Sequence, residues 1–356
     1  MSRPAFAHIH LDHLRHNYRV LNTRAGAAEI MAVVKANAYG HGLNLVAPAL
    51  FKEGCRSFAV TDAKEGMQLR DHLGHDNDPT ITLLSGVYDD EDAKFCAEND
   101  FIPAISAESH ISLLSKAGFT GSVWIKVDTG MNRIGAVDPA MLTSLLNESG
   151  IRLAGIMSHL ACADTPEHPM NQAQFDAFNA LRQQIAPDAP ASLLNSAGLV
   201  GMPEHVFDVV RPGIALYGAE PIPGEPLGLR PVMQLTGQIM QIRNLSPGDM
   251  VSYGASFTAS HDMRVAAISL GYADGVPRGL SNTGQVIIRD TPCAIVGRVC
   301  MDYTVVDVSA CTCHEADSVE FWGSAMLAND VAALLDTISY TLFTGVGERV
   351  QRVISA

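Results

Sequence analysis

Eight short β-rich runs alternate with helical patterns across the first two-thirds of this chain, and that alternation leaves few ways to fold. The runs are Glu29–Val34, Ser57–Val60, Thr80–Leu83, Ile102–Ile105, Val123–Val127, Arg152–Met157, Ala191–Leu194 and Phe207–Val210. Between them apolar residues recur at helical spacing, as at Phe175, Phe178, Leu181 and Ile185. Strands that alternate with helices form a parallel sheet with helices outside it, and eight such units is the number that closes a (β/α)8 barrel. An earlier run, Ala5–Ile9, is left over. It is placed outside the barrel, paired with the other domain.

The pattern changes after Tyr217. Glu220-Pro221-Ile222-Pro223-Gly224-Glu225-Pro226 reads as a linker or exposed loop. Beyond it come short β patterns punctuated by turns such as Pro247-Gly248-Asp249, Asn282-Thr283-Gly284 and Arg289-Asp290. Pro231–Val319 is therefore predicted to be a small, mostly β domain, with one late helix near Ala328–Thr337. The expected fold class is α/β, with an N-terminal TIM barrel over 11–222 and a β-rich C-terminal domain over 223–356, to which 1–10 pairs. A length of 356 residues with 47% apolar content suits two interiors.

A formal charge of -14 argues against nucleic acid, which needs a basic face. No stretch approaches the length of a membrane span, and Met1-Ser2-Arg3-Pro4-Ala5-Phe6 lacks the apolar core of a secretory signal. The seven cysteines have no framework spacing and read as reduced thiols, so a cytoplasmic location is expected. Cys311-Thr312-Cys313-His314 lacks a second ligand pair and reads as a turn with exposed side chains. No metal is expected.

Barrel enzymes carry their chemistry in the loops after the C-terminal ends of strands. Lys35 follows the first run, Arg133 the fifth, His159 the sixth, Asn195-Ser196 the seventh and Arg211-Pro212-Gly213-Ile214 the eighth. Singly, each has an ordinary explanation: a strand-end amine in water, a packed ring, a helix cap, a surface ion pair. Together they occupy one rim. A lysine in a partly dry site loses its charge readily and forms a Schiff base with an aldehyde. Loops after strands seven and eight often hold phosphate. There Ser196 offers a hydroxyl, Gly213-Ile214 a close backbone and Tyr39 a phenol.

The run Ala32-Val33-Val34-Lys35-Ala36-Asn37-Ala38-Tyr39-Gly40-His41-Gly42 resembles the cofactor-lysine signature of the alanine racemases, a pyridoxal-phosphate family. Similar matches are Lys126–Gly135, Val210–Gly218, Val251–Gly254, Gly271–Gly275 and Gly297–Asp302, so the resemblance spans nearly the whole chain. It implies interconversion of L- and D-alanine, supplying D-alanine for peptidoglycan, in a head-to-tail homodimer. Lys35 is implied to hold pyridoxal 5'-phosphate as an aldimine and, once free, to serve the D-alanine face. Tyr253 of the partner subunit is implied to serve the L-alanine face, its pKa lowered by Arg211 and His159. The resemblance gives cofactor binding to Tyr39, His159, Asn195, Ser196, Gly213 and Ile214, with Arg211 facing the pyridine nitrogen. Arg133 and the Met301 backbone N–H are implied to bind the substrate carboxylate. Tyr272 is implied to narrow the entrance, and Asp302 to support the site.

Along Val123–Asp128, alternation places Lys126 and Asp128 on one face. An ion pair between them is the ordinary solution. In many relatives this lysine is carbamylated instead, and that is the expectation adopted for Lys126. The tail Thr344–Arg352 matches only in part. Glu348 stands where some relatives place a tyrosine, and an ionised carboxylate cannot donate, so no role is carried onto it. Two rivals remain. His8-Ile9-His10 resembles the H-x-H metal motif of barrel hydrolases. A single-domain pyridoxal-phosphate carrier barrel would also display a lysine, but it lacks a second domain and Tyr253.

Overall fold

The computed structural model describes residues 3–74 and 79–355, so Met1 and Ser2 of the opening run lie outside it. Strand β1 (Ala5–His10) comes first and runs directly into helix α1 (Leu11–Ala25). Leu14, Tyr18, Leu21 and Ala25 recur at helical spacing on α1 and are buried. Asp12 in its first turn and Arg24 in its last suit the helix dipole.

Eight parallel strands follow: β2 (Glu29–Val33), β3 (Ser57–Val60), β4 (Thr80–Leu83), β5 (Ile102–Ile105), β6 (Ser122–Lys126), β7 (Arg152–Met157), β8 (Ala191–Ser192) and β9 (Val209–Val210). Neighbours pair in chain order from β2 to β8, and β9 returns to pair with β2. The last gap, between β8 and β9, is spanned by one parallel bridge, Asn195 to Arg211. The expected barrel is thus present. Ile30–Val33 in β2 and all of β3 are buried continuously, as strands covered on both faces require. Strands β8 and β9 are shorter than expected. Leu193 and Leu194 stay buried, but the chain leaves the ladder there to start the helix Ser196–Gly201, capped by Asn195.

The second domain is a sheet built around one long strand, β10 (Met233–Leu245). It pairs antiparallel with β1, with Met263–Ile268 and with Ser318–Trp322. Strand β1 also pairs in parallel with Gln351–Ser355, near the far end of the chain. The expected late helix is shorter, Ala328–Ala333, and a second helix, Ser339–Gly345, follows it.

Two polar groups fasten the domains. Buried Asn17 on α1 donates to the carbonyls of Leu216 and Arg230, and its oxygen accepts from Arg230 N–H at 2.8 Å. The Glu220 carboxylate accepts from Leu227 and Leu229 N–H and so shapes the connecting loop. The Cys311–His314 segment corrects an expectation. Cys311 and Cys313 are buried rather than exposed, because their side chains turn inward beside buried Cys293.

Candidate active site

Lys35 ends the approach from β2, and the backbone after it is unusual. Ala36, Asn37, Ala38 and Tyr39 all have φ between 52° and 55°, a left-handed turn that L-residues adopt only at a cost. The surroundings hold it in place. The Glu65 carboxylate accepts from Ala36 N–H at 2.6 Å and from Thr61 N–H at 2.7 Å. The Asn37 side-chain oxygen accepts from Leu43 N–H at 2.7 Å. Gly40 lies so close to the helix Ser339–Gly345 that a Cβ there would sit 2.1 Å from the Phe343 carbonyl oxygen. The turn swings Tyr39 back over the rim, where its ring stacks on Tyr217 at 4.9 Å. Tyr217 in turn donates its hydroxyl to Val33 O at the end of β2.

The loops after β8 and β9 are cross-tied. The Ser196 hydroxyl oxygen accepts from Gly213 N–H at 2.9 Å and from Ala215 N–H at 3.3 Å. A side chain at Gly213 would displace the Tyr39 phenol, since a Cβ would meet its hydroxyl at 2.5 Å. Asn195 is a true helix cap, its side-chain oxygen accepting from Gly198 N–H. Arg211 is buried, and its guanidinium donates to the Ser192 hydroxyl and to the carbonyls of Ser158 and Leu193. Burial pulls it down to about 10, so it remains charged at neutral pH.

These residues line one cavity of about 520 Å³. Lys35, Lys126, Arg133 and Arg211 all face it, and among the described residues no carboxylate does. The charges act on one another. Lys35 is lowered by burial first and by Arg133 second, with Glu65 opposing. Burial, then Arg211, Arg133 and Lys35, bring Lys126 down to about 8. The same cations, after burial, hold His159 at about 3. His159 is therefore neutral within this chain.

The ion pair between Lys126 and Asp128, the alternative to carbamylation, does not form. The Asp128 carboxylate turns to the nearer backbone N–H groups of Gly130, Asn132 and Arg133, which it caps. Lys126 donates to Leu84 O at 3.1 Å instead. Tyr340 and Thr344 also line the cavity, from the short helix of the second domain. Sequence reasoning missed both. The seven-residue helix that carries them is too short for periodicity to reveal.

Tyr253, Tyr272, Met301 and Asp302 do not line this cavity. Tyr253 is 74% exposed in a tight turn. Tyr272 N–H bonds Cys300 O, and Met301 O accepts from Ala273 N–H, so those two loops lie side by side. Asp302 and buried Asp274 are clamped by Arg3 and Arg349, which steadies the same loops. Glu348 is exposed and lies outside the cavity. His8 bonds Thr236 and Ser355 on the sheet and is not joined to the rim.

Residues 9–221 match the model of the alanine racemase N-terminal domain, and residues 232–354 match that of the C-terminal domain. The chain belongs to the alanine racemase family. It is 39% identical to the alanine racemase of Marinobacter nauticus, over 99% of both chains. It is 37% identical to a catabolic alanine racemase of Agrobacterium fabrum, over 97% of this chain and 90% of the other. Among solved structures it superposes on the Bartonella henselae alanine racemase, which has covalently bound pyridoxal phosphate, with a TM-score of 0.92 at 34% identity and 99% coverage of both chains. The biosynthetic alanine racemase of Pseudomonas aeruginosa gives the same TM-score and identity, over 99% of this chain and 100% of the other.

Proposed function

We propose that this chain interconverts L- and D-alanine with pyridoxal 5'-phosphate held in the barrel cavity. Membership of the alanine racemases makes it a pyridoxal-phosphate-dependent isomerase. One observation carries the reading: a carboxylate-free cavity at the barrel rim, ringed by four cations, into which a lysine of lowered pKa projects. That donor set fits a dianionic aldehyde together with an anionic amino acid. A close backbone at Gly213, where a Cβ would strike Tyr39, suits a phosphate held by N–H groups.

When bound, the cofactor supplies an electron sink for the carbanion left by α-proton removal. The protein's part is geometry and proton handling. Lys35 would hold the cofactor and then, as a neutral amine, move a proton at the alanine α-carbon on one face. Ser196, Tyr39, Asn195 and the Gly213-Ile214 backbone would fix the phosphate end. Arg211, charged and already oriented by three acceptors, would keep the ring nitrogen unprotonated. Arg133, exposed at the rim, would take the substrate carboxylate, with the Met301 N–H and Tyr272 limiting side-chain size.

The opposite-face base is Tyr253, delivered by a second copy in a head-to-tail homodimer. Its exposure and its absence from its own chain's cavity support this, as do the neighbouring exposed side chains of Met250, Tyr272, Met301 and Tyr303.

Lys126 takes up carbon dioxide as a carbamate: the neutral amine bonds the carbon and one proton leaves. Its lowered pKa makes the amine available, and the surrounding cations favour the anion formed. A carbamate signal on equilibration with carbon-13 bicarbonate, absent in Lys126→Gln, is the expected NMR result.

The D-alanine formed would supply peptidoglycan, in a cytoplasmic location consistent with seven free thiols. Growth of a D-alanine auxotroph on this gene tests that role. The direct test of activity is to incubate the cofactor-loaded protein with L-alanine, L-serine and L-lysine, followed by chiral chromatography. D-alanine should appear fastest. A loaded protein that leaves all three unchanged would sink the reading.

A further inference from the structure

We propose that His10, Asp12 and His13 bind a divalent ion of the zinc class at the point where β1 becomes α1. The strand passes into the helix without a loop, so these three side chains converge. A ligand atom from each lies within 4.8 Å of the others, the only such trio among the described residues. The two imidazole rings stack with centroids 4.9 Å apart and planes at 22°.

His13 is oriented for the task. Its Nδ1–H donates to the Pro231 carbonyl at 2.7 Å, which leaves the lone pair on Nε2. That nitrogen lies 4.0 Å from the Asp12 carboxylate. Metal-binding histidines commonly anchor their second nitrogen on a backbone carbonyl in this way, fixing both tautomer and ring angle. His10 is kept below the ordinary histidine range by burial and then by His13, while Asp12, Gln234 and Glu320 oppose.

Two imidazole nitrogens and one carboxylate oxygen suit zinc and its neighbours rather than magnesium or calcium. Bonds of about 2.0–2.1 Å to a tetrahedral ion place ligand atoms roughly 3.4 Å apart, so the exposed Asp12 carboxylate would close in on His13 from its present 4.0 Å and the half-buried His10 ring would turn toward both. Water would fill the fourth position. His8, on the same face of β1, is already held by Thr236 and Ser355 and takes no part. The trio is also separate from the Lys35 cavity, none of whose lining it supplies. Bound metal would instead tie the first helix of the barrel to strand β1 and to Pro231, just ahead of β10. The sequence reading expected no metal, and this proposal departs from it.

The test uses the full, cofactor-loaded protein, stripped with chelator and titrated with zinc chloride by calorimetry and by thermal melting. One equivalent should bind. The melting temperature should rise on the order of 3 °C when zinc is about a hundredfold above its Kd. His13→Asn keeps a donor for the Pro231 carbonyl but loses the ligand nitrogen, and Asp12→Asn alters only an exposed side chain. Each should weaken zinc binding by more than about tenfold, since even outer-shell changes cost that much. Racemase turnover without zinc should be unchanged in Asp12→Asn. Two outcomes overturn the site: no binding by the unaltered protein, or one equivalent that binds equally well to both variants, which would place the ion on the thiols or in the active site.

Discussion

Asn195 and Arg211 meet in a single parallel bridge, and that bridge joins the two shortest strands of the barrel. The residue that caps one helix and the residue that anchors the cavity floor thus also close the cylinder. Arg211 adds side-chain bonds across the same seam to Ser192 and Leu193, and one beyond it to Ser158 after β7. Its removal should therefore damage stability as well as catalysis. Arg211→Met should lower the unfolding free energy by about 2–4 kcal/mol, because buried acceptors are left without donors. Urea denaturation measures this; a purely catalytic role predicts an unchanged midpoint.

The dimeric assignment of Tyr253 has a mixing test. Lys35→Ala and Tyr253→Phe should each be nearly inactive alone. A mixed dimer, however, holds one site with both native groups. Random reassortment of the two variants should restore about a quarter of wild-type activity, since half the dimers are mixed and each has one intact site. If Tyr253 served its own chain's cavity, mixing would restore nothing.

Gly213 and Tyr39 form a contact that a single methyl group would break. A Cβ at position 213 would lie 2.5 Å from the Tyr39 hydroxyl oxygen and 3.0 Å from the carbon that bears it. Gly213→Ala should weaken cofactor binding by more than about tenfold, a loss of roughly 1.4 kcal/mol. Adding Tyr39→Phe should recover part of it. Fluorescence titration with the cofactor reads both, and an additive double variant would contradict the steric explanation.

Acid should destabilise the protein through two buried histidines. Burial holds His41 at about 3, and burial with the cavity cations does the same for His159. An unfolded histidine titrates near 6.5. Below that pH the unfolded chain takes up protons that the native chain refuses, so stability falls as pH drops from 6.5 toward 3. Above 6.5 neither residue contributes a slope. Each should add about 1.4 kcal/mol of loss per pH unit within the window. His41→Gln should be less stable at neutral pH yet show a shallower acid slope in chemical denaturation; equal slopes would refute the assignment.

The barrel was legible because its strands are buried on both faces and separated by periodic helices, as β3 and the helix Pro169–Ile185 illustrate. The rim residues were legible because each follows a strand. Other features depended on packing that no local pattern records. The left-handed turn from Ala36 to Tyr39 is stabilised by Glu65 and Phe343, residues remote in sequence. The alternation that put Asp128 on the Lys126 face left an ion pair open, but three backbone donors lay closer. Tyr340 entered the cavity from a helix too short to register by periodicity.

The pairing of β1 with Gln351–Ser355 sets a timetable for biosynthesis. His8 meets Ser355 across 347 residues of chain. At a ribosomal pace of 5–20 residues per second, the early strand waits on the order of 20–70 s for its neighbour to be translated. The barrel can form during that interval. The second sheet cannot be completed until nearly the whole polypeptide has emerged, which leaves one edge of a newly made strand open to strangers in the meantime.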